Sequence, residues 1–344
     1  MGIRIRRWVA ALLGALVLAG CVPVAAPTPS PTVPAASPSP TASPTPSEAP
    51  VPRLISYDHY LIPKVADQVL DDLQRAYYRR LVDAVLAREE SFPIPEGVRE
   101  HDESWRAGAL FSQLNPLGGL VMTGFAPDGK NMSMSYYFDE ADHERMVQSI
   151  APRIEQLVAD LIPQQANEVD AVFAVYQHLA TTTSYTQDGP LTGSYGVLID
   201  SSGMCVGFAT GMTWLLAQAG MDISYPVEWT PKDPEVAGHA WAIALLDGQH
   251  YHFDPTWDNG ESGGLQLRYF GMTEAERLSG PVGPFGYTLL DDVVPAPPAT
   301  DERFAPLREA VAYKRDPVRH RVLLRQADGT VSVFSTETLT ITQR

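Results

Sequence analysis

The chain has 344 residues, with 25 basic against 41 acidic side chains and a formal net charge of −16 at pH 7. That balance argues against nucleic acid or anionic lipid headgroups as partners, since both select basic surface. Its two cysteines, Cys21 and Cys205, each sit inside a motif of their own, which leaves none for a structural disulfide and makes stability depend on an apolar core.

Arg4, Arg6 and Arg7 precede an apolar run of twelve residues from Trp8 to Ala19. A bilayer takes about 20 such residues, so residues 1–20 read as an export signal rather than as a short membrane anchor. The closing run Leu18-Ala19-Gly20-Cys21 resembles the lipobox of bacterial lipoproteins. The resemblance implies cleavage before Cys21 and attachment of more than one acyl chain, because a single chain, at about 0.8 kcal/mol per buried methylene, anchors marginally. A cleaved secretory signal without lipid is the alternative. Removing the three arginines leaves 22 basic against 41 acidic residues, a formal charge of −19.

Residues 21–52 form a linker, with 11 prolines among the 31 residues from Val22 to Pro52. Such a segment buries almost nothing and favours extended polyproline conformations. At about 3.1 Å per residue it reaches roughly 90 Å when fully extended, enough for a stalk. From Arg53 on, the chain is long enough for one large domain or a core with additions. We divide it into an N-terminal region at 53–165, a core at 166–280 and an extension at 281–344.

Apolar residues at helical spacing from Val65 to Val85 predict one long helix over Lys64–Glu90. The alternation of Met132, Met134 and Tyr136, with Pro127-Asp128-Gly129 before it, predicts a β-hairpin within 119–138. Asp139 is placed to cap a helix running to Leu161, which Pro152 kinks or splits. A further helix is expected from Ala166 to Thr181, with His178 on it as a structural residue. Cys205–Ala219 is the most apolar helix candidate, with Phe208, Met212, Leu215 and Leu216 marking a buried face and Gly220 stopping it. Strands follow at 223–229, 239–246 and 250–254. After a Pro/Gly-rich stretch from Pro281, a last hairpin is expected at 322–326 and 330–334, around Asp328-Gly329. No internal repeat is present.

The chemistry centres on Cys205. A thiol is a useful nucleophile as the thiolate, which the start of a helix favours through its dipole and free N–H groups. Gly203 and Gly207 on either side allow backbone or substrate to approach closely. A buried structural cysteine reads the same local pattern differently. If Asp247-Gly248 is a two-residue hairpin loop, Leu246 pairs with Gln249, and residues 239, 241, 252 and 254 share one face of the sheet. Asp254 is then the diagonal neighbour of His239, in reach of its imidazole, unless a one-residue bulge swings it to the reverse face. A carboxylate that orients a histidine, which activates a thiol, is the logic of a nucleophilic triad.

The run from about Gln177 to Asp258 resembles the transglutaminase-like, papain-related superfamily. The matching pieces are Tyr195-Gly196-Val197-Leu198, Gly203-Met204-Cys205-Val206-Gly207-Phe208-Ala209, Gly238-His239-Ala240-Trp241 and the run from Tyr251 to Asp258. Arg268-Tyr269-Phe270 also resembles the stretch that usually follows, whereas His250 stands where similar proteins often carry an aromatic residue.

The resemblance implies an α+β fold, a papain-like or transglutaminase-like core with the nucleophile at a helix N-terminus packed on an antiparallel sheet. A helical and β-hairpin region precedes that core. The resemblance also implies Cys205 as nucleophile, His239 as general base and acid, and Asp254 as orienting carboxylate. The Cys205 N–H and Tyr195 are the oxyanion candidates. Trp241 and Trp257 either line an acyl-substrate groove or pack the fold. His250, His252 and Asp254 alternate on one strand and could bind zinc, but that would consume Asp254 and leave Cys205 without a role, so neither metal nor cofactor is expected.

The implied activity is acyl transfer on peptide or protein amide bonds, as a cysteine peptidase, deamidase or transglutaminase. Its partners are a protein or peptide substrate, cell-wall peptides being suggested by location alone, and the outer membrane face through Cys21. The alternative from another class is a binding or scaffolding module on a lipid-anchored stalk.

Overall fold

A computed structural model of the chain describes residues 51–98, 105–229, 237–259, 267–279 and 298–343. The export signal, Cys21, the Pro-rich linker up to Pro50 and most of the Pro/Gly-rich stretch lie outside the described residues.

Two helices, α1 (Lys64–Asp67) and α2 (Asp72–Leu86), stand where one is expected. The apolar spacing runs through the break, but local polar groups decide against continuity. Asp71 accepts from the Gln74 N–H and Gln74 accepts from the Asp71 N–H, both at 2.8 Å, a reciprocal cap that starts a new helix. Arg75 reaches back to the Asp67 backbone carbonyl at 2.7 Å and satisfies the end of α1. At the other end, Arg88 takes a left-handed conformation (φ 50°) and the Glu89 N–H bonds the Ala84 carbonyl, so α2 stops short of Glu90.

A short strand β1 (Ser91–Pro93) then pairs with the expected hairpin, β2 (Val121–Phe125) and β3 (Asn131–Tyr136), in the order β1-β3-β2. Helix α3 (Trp105–Leu114) lies between β1 and β2 in sequence. Helix α4 (Glu140–Leu161) is capped by Asp139, which accepts from the Asp142 N–H at 2.9 Å. It runs unbroken through Pro152. Helix α5 (Glu168–Thr182) is capped by Asn167, which accepts from the Asp170 N–H at 2.8 Å.

Strands β4 (Ser184–Tyr185) and β5 (Ser202–Gly203) form a short parallel pair that leads into α6 (Cys205–Gln218). Apart from the half-buried Val206, α6 is buried around its whole circumference rather than on one face. It lies against α3, α4 and α5 on one side and against the sheet on the other. A helix apolar on all sides is the sequence mark of that central position.

The sheet beside it is antiparallel in chain order: β6 (Ser224–Trp229), β7 (His239–Leu246), β8 (Gln249–Phe253) and β9 (Phe270–Met272). A short helix α7 (Glu274–Leu278) follows β9, and α8 (Ala305–Glu309) begins the extension. Mixed helices around antiparallel sheets make the fold α+β. Among the described residues, no helix is long and apolar enough to cross a membrane.

The C-terminal hairpin is the middle of a four-stranded antiparallel meander: β10 (Ala312–Asp316), β11 (Arg321–Arg325), β12 (Val331–Ser335) and β13 (Thr340–Gln343). The outer strands escape a reading of alternation because β13 is exposed at every position and β10 is half-exposed along most of its length. Val322, Leu324, Phe334 and Leu339 join the main apolar core. Asp170 on α5 adds a polar lock: it is buried and accepts from Thr336 Oγ1 at 2.7 Å and from His320 Nδ1 at 2.5 Å.

Replacing Asp170→Ala should therefore cost about 3 kcal/mol, the usual loss when one member of a buried polar or ionic cluster is removed. Urea denaturation measures the loss, and hydrogen exchange should rise first in the meander. An unchanged urea midpoint would mean that apolar contacts alone hold the sheet.

Candidate active site

Asp247 (φ 49°) and Gly248 (φ 73°) both occupy the left-handed region, as a two-residue hairpin loop demands. The resulting ladder pairs Leu246 with Gln249 and runs to Ala242 opposite Phe253, the expected register. A register shift at His252/Phe253 falls on the pairing with β9, so the β7–β8 pairing stays intact. Asp254 lies just past the last ladder pair, its N–H bonded to the Tyr269 carbonyl at 3.0 Å. Its side chain stays on the face of His239, and His239 Nε2–H donates to Asp254 Oδ2 at 2.7 Å.

Cys205 is the first residue of α6 and is 6% exposed. Met204 before it is extended (φ −103°, ψ 177°) and contributes no side-chain cap, so no side chain competes for the first-turn N–H groups. The thiol packs with Ala209 and with Ala240, the residue next to His239. The glycines of the motif serve the chain's own backbone. A Cβ at Gly207 would lie 2.5 Å from the Thr192 carbonyl oxygen, and one at Gly203 would lie 2.6 Å from Val197 and 2.7 Å from the same oxygen. The segment at residues 191–197, which leads into a helical stretch, is thus pressed against the start of α6.

His239 is 4% exposed. With Nε2 committed to Asp254, Nδ1 is the nitrogen left for the thiol. Nδ1 has no partner at full hydrogen-bond geometry, yet Cys205 acts on the ring both as a hydrogen-bonding group and through charge. A loose thiol–imidazole contact is usual in an unliganded site. Burial is the largest influence on the ring and disfavours its charge. The Asp254 carboxylate and the Cys205 contact together outweigh it and hold the imidazole up at about 9. For Asp254, 0% exposed, burial again opposes the charge, and His239 and Arg277 overcome it and keep the carboxyl below the usual range.

Arg277 is a site residue that the sequence reading missed. It is 1% exposed, and its Nη2 donates to the same Asp254 Oδ2 at 3.1 Å. Its guanidinium lies 4.2 Å from the Trp241 ring and 4.3 Å from the Trp257 ring. Trp257 also stacks on His239 at 4.7 Å. The one available signal was Thr273-Glu274-Ala275-Glu276, a capping-box pattern that predicts α7 and is realised there.

Asp258 is the second omission. Buried, it accepts from Tyr176 Oη at 2.5 Å and from the N–H groups of Arg268 and Tyr269. Burial above all, with the nearby Asp254 charge, pushes its carboxyl up to about 7 against those donors.

Of the three residues expected on the oxyanion or substrate side, two are buried and one is half-exposed. Trp241 is fully buried and its Nε1–H donates to His252 Nδ1 at 2.9 Å, so it packs against its neighbours among the described residues. Tyr195 is buried too, and its hydroxyl meets Ser149 Oγ on α4 at 3.2 Å. Trp257 remains half-exposed and is the one of the three able to meet a substrate. On the strand weighed for zinc, burial and the Arg277 charge push His252 down to about 3, and Asp254 is occupied by His239 and Arg277.

The raised imidazole couples stability to pH. A base whose value rises from about 6.5 unfolded to about 9 folded binds its proton more tightly in the native state. Its stabilising contribution is complete below about pH 6.5 and is lost as pH rises through about 9. The Asp258 contribution has the same sign but fades over a lower window, from about 3.8 to about 7. The stability difference between wild type and His239→Gln, from urea unfolding, should therefore shrink between pH 6.5 and 9.5. A constant difference would exclude the elevated imidazole.

The sequence model of the transglutaminase-like superfamily matches residues 155–255. No curated protein matches the chain. Similar solved structures include a protein of Parabacteroides distasonis ATCC 8503 provisionally described as a protease, with 15% identity and a TM-score of 0.24, covering 38% of this chain and 29% of that one. Another, from Cytophaga hutchinsonii, is provisionally described as a cysteine protease, with 14% identity, a TM-score of 0.26, and 40% and 61% coverage. A third, described as a TGase, has 16% identity, a TM-score of 0.24, and 42% and 44% coverage. The chain thus spans between 29% and 61% of the length of these structures. Residues 155–255, which include Cys205, His239 and Asp254, form a domain of the transglutaminase-like superfamily.

Proposed function

We propose that the protein is a thiol acyl-transfer enzyme acting on peptide or protein amide bonds. The observation that carries this reading is the buried His239–Asp254 hydrogen bond at 2.7 Å, with the helix-start thiol of Cys205 beside the free side of the ring. An imidazole held protonated by a carboxylate beside a thiol favours the thiolate–imidazolium pair. The Cys205 sulfur attacks the carbonyl carbon, the C–S bond forms and the carbonyl π electrons move to oxygen. The Cys205 N–H at the start of α6 is the donor we assign to that oxyanion. His239 passes its proton to the leaving nitrogen as the C–N bond breaks. The thioester is then attacked by water or an amine, which gives its proton to His239 as the C–S bond breaks and the thiolate returns.

Water as acceptor gives a peptidase or deamidase, and an amine gives a transglutaminase. Hydrolysis is the preferred reading, since water is the default acceptor unless a site excludes it. A second reading, a non-catalytic binding or scaffolding module, is favoured by the low exposure of the Cys205 thiol, 6%.

One experiment separates these. The full chain is incubated with casein and a labelled primary amine, and in parallel Cys205 alkylation by iodoacetamide is followed by peptide mass spectrometry near neutral pH. New peptide termini or released ammonia mean hydrolysis, and amine incorporation means transfer. His239→Gln should slow turnover by about 100-fold or more, the usual loss for a general acid–base group. A folded protein with an unreactive Cys205 favours the module.

The chain is also proposed to be exported and held at the outer face of a bacterial membrane by lipid on Cys21, a reading supported by the Leu18-Ala19-Gly20-Cys21 run and the basic, apolar segment before it. Residues 21–52 then act as a stalk. Cys21→Ser should move the protein from the membrane fraction to the soluble one, and unchanged partition would retire the anchor.

A further inference from the structure

Arg277 calls for an explanation beyond packing. A buried ion pair is seldom a net source of stability, and a lone carboxylate suffices to orient an imidazole. Here two donors, His239 Nε2 at 2.7 Å and Arg277 Nη2 at 3.1 Å, converge on one oxygen of Asp254. The guanidinium has no freedom to leave, being flanked by Trp241 and Trp257 at 4.2 and 4.3 Å. We propose that Arg277 is a positioning residue of the site, whose clamped guanidinium fixes the Asp254 carboxylate and balances its charge so that the Cys205–His239 pair can ionise. This inference rests on the thiol-enzyme reading above.

The charge count explains the effect. Arg277 and Asp254 cancel, and an imidazolium on His239 cancels a thiolate on Cys205, so the ionised site carries no net charge. Without the guanidinium, the imidazolium must compensate Asp254, and a thiolate would leave the same dry volume with one uncompensated negative charge. Thiolate formation then becomes harder, and His239 holds its proton more tightly. Both effects move the reactive window to higher pH.

The other titratable groups around Arg277 do not supply this balance. Tyr176 from α5 and Tyr269 before β9 are pushed up by burial and stay neutral. His252 from β8 is held down at about 3 and stays neutral as well. Asp258, pushed up to about 7, adds negative charge as it ionises. On α7 itself, Glu276 is engaged by Thr273 and Arg308, and Glu274 lies in the first turn. Asp258 and Glu276 are present in wild type and variants alike, so a comparison isolates Arg277.

The test is the rate of Cys205 alkylation by iodoacetamide from pH 5 to 10, in the full chain, localised to the Cys205 peptide because Cys21 is the other cysteine. Arg277→Gln should move the acidic limb up by about 1 unit, the lower end of what a neighbouring charge does, with a roughly tenfold slower reaction below both midpoints. Arg277→Lys, which keeps the charge but not the stacked planar fork, should leave the limb in place and lower the plateau several-fold. A folded Arg277→Gln with a superimposable profile overturns the inference. Should Arg277→Gln not fold, the lysine variant decides: an unmoved limb with a lowered plateau supports the inference, and any other profile overturns it. A wild-type thiol unreactive at every pH, or a profile unaffected by His239→Gln, would instead remove the thiol-enzyme reading itself.

Discussion

The carboxylate of Asp254 is the constraint on which the arrangement of the site depends. It is wholly excluded from water, and a lone carboxylate so placed costs several kcal/mol. Donors from separate elements cover that cost: His239 Nε2 from β7, Arg277 Nη2 from α7 and the Trp257 N–H from the turn that follows. Its backbone is tied as well, with its own N–H bonded to the Tyr269 carbonyl and Tyr176 Oη from α5, whose proton is shared with Asp258, 3.2 Å from its carbonyl. The positions of β7, α5, α7 and the approach to β9 are therefore fixed relative to one another by one residue. Because the donors are few and directional, small movements of any of these elements would leave a buried group without a partner.

The thiol is constrained by packing rather than by polar bonds. Helix α6 is enclosed by other helices and by the sheet, so its axis is set by apolar burial, and the close contacts of Gly203 and Gly207 with the segment at 191–197 set where its first residue sits. Two independent kinds of force thus meet at the site. Hydrogen bonds and charge place the imidazole, and steric fit places the sulfur against Ala240 beside it. The rings complete the arrangement: Trp257 stacks on the imidazole, and the guanidinium lies within 4.3 Å of both Trp257 and Trp241.

Much of this could be read from the residues because it is local. A two-residue loop with Asp247-Gly248 admits one register, and that register puts Asp254 on the face of His239. The apolar run after Cys205 places the thiol at a helix start. What could not be read depends on tertiary burial. Arg277 stands 23 residues beyond Asp254 in a five-residue helix, and a lone arginine in such a setting reads as solvent-facing. Trp241 and Tyr195 share the sheet face and the segment that carry the site, and nothing in their spacing tells whether a ring faces a groove or a neighbouring element. The division between α1 and α2 was legible only in the Asp71–Gln74 cap, which a reading of apolar periodicity overlooks.

The sign of the whole protein's charge sharpens the role of the local cations. A chain of net charge −16 opposes any further anion, a thiolate included. At physiological ionic strength, however, exposed charges beyond about 8 Å are largely screened, whereas contacts of 2.7 and 3.1 Å inside a dry cluster are not. The electrostatics of the buried cluster are thus set by the few groups packed within it rather than by the acidic surface. An acidic protein can hold a buried carboxylate in this way provided that its charge is matched within the cluster. For Asp254, His239 and Arg277 supply that match.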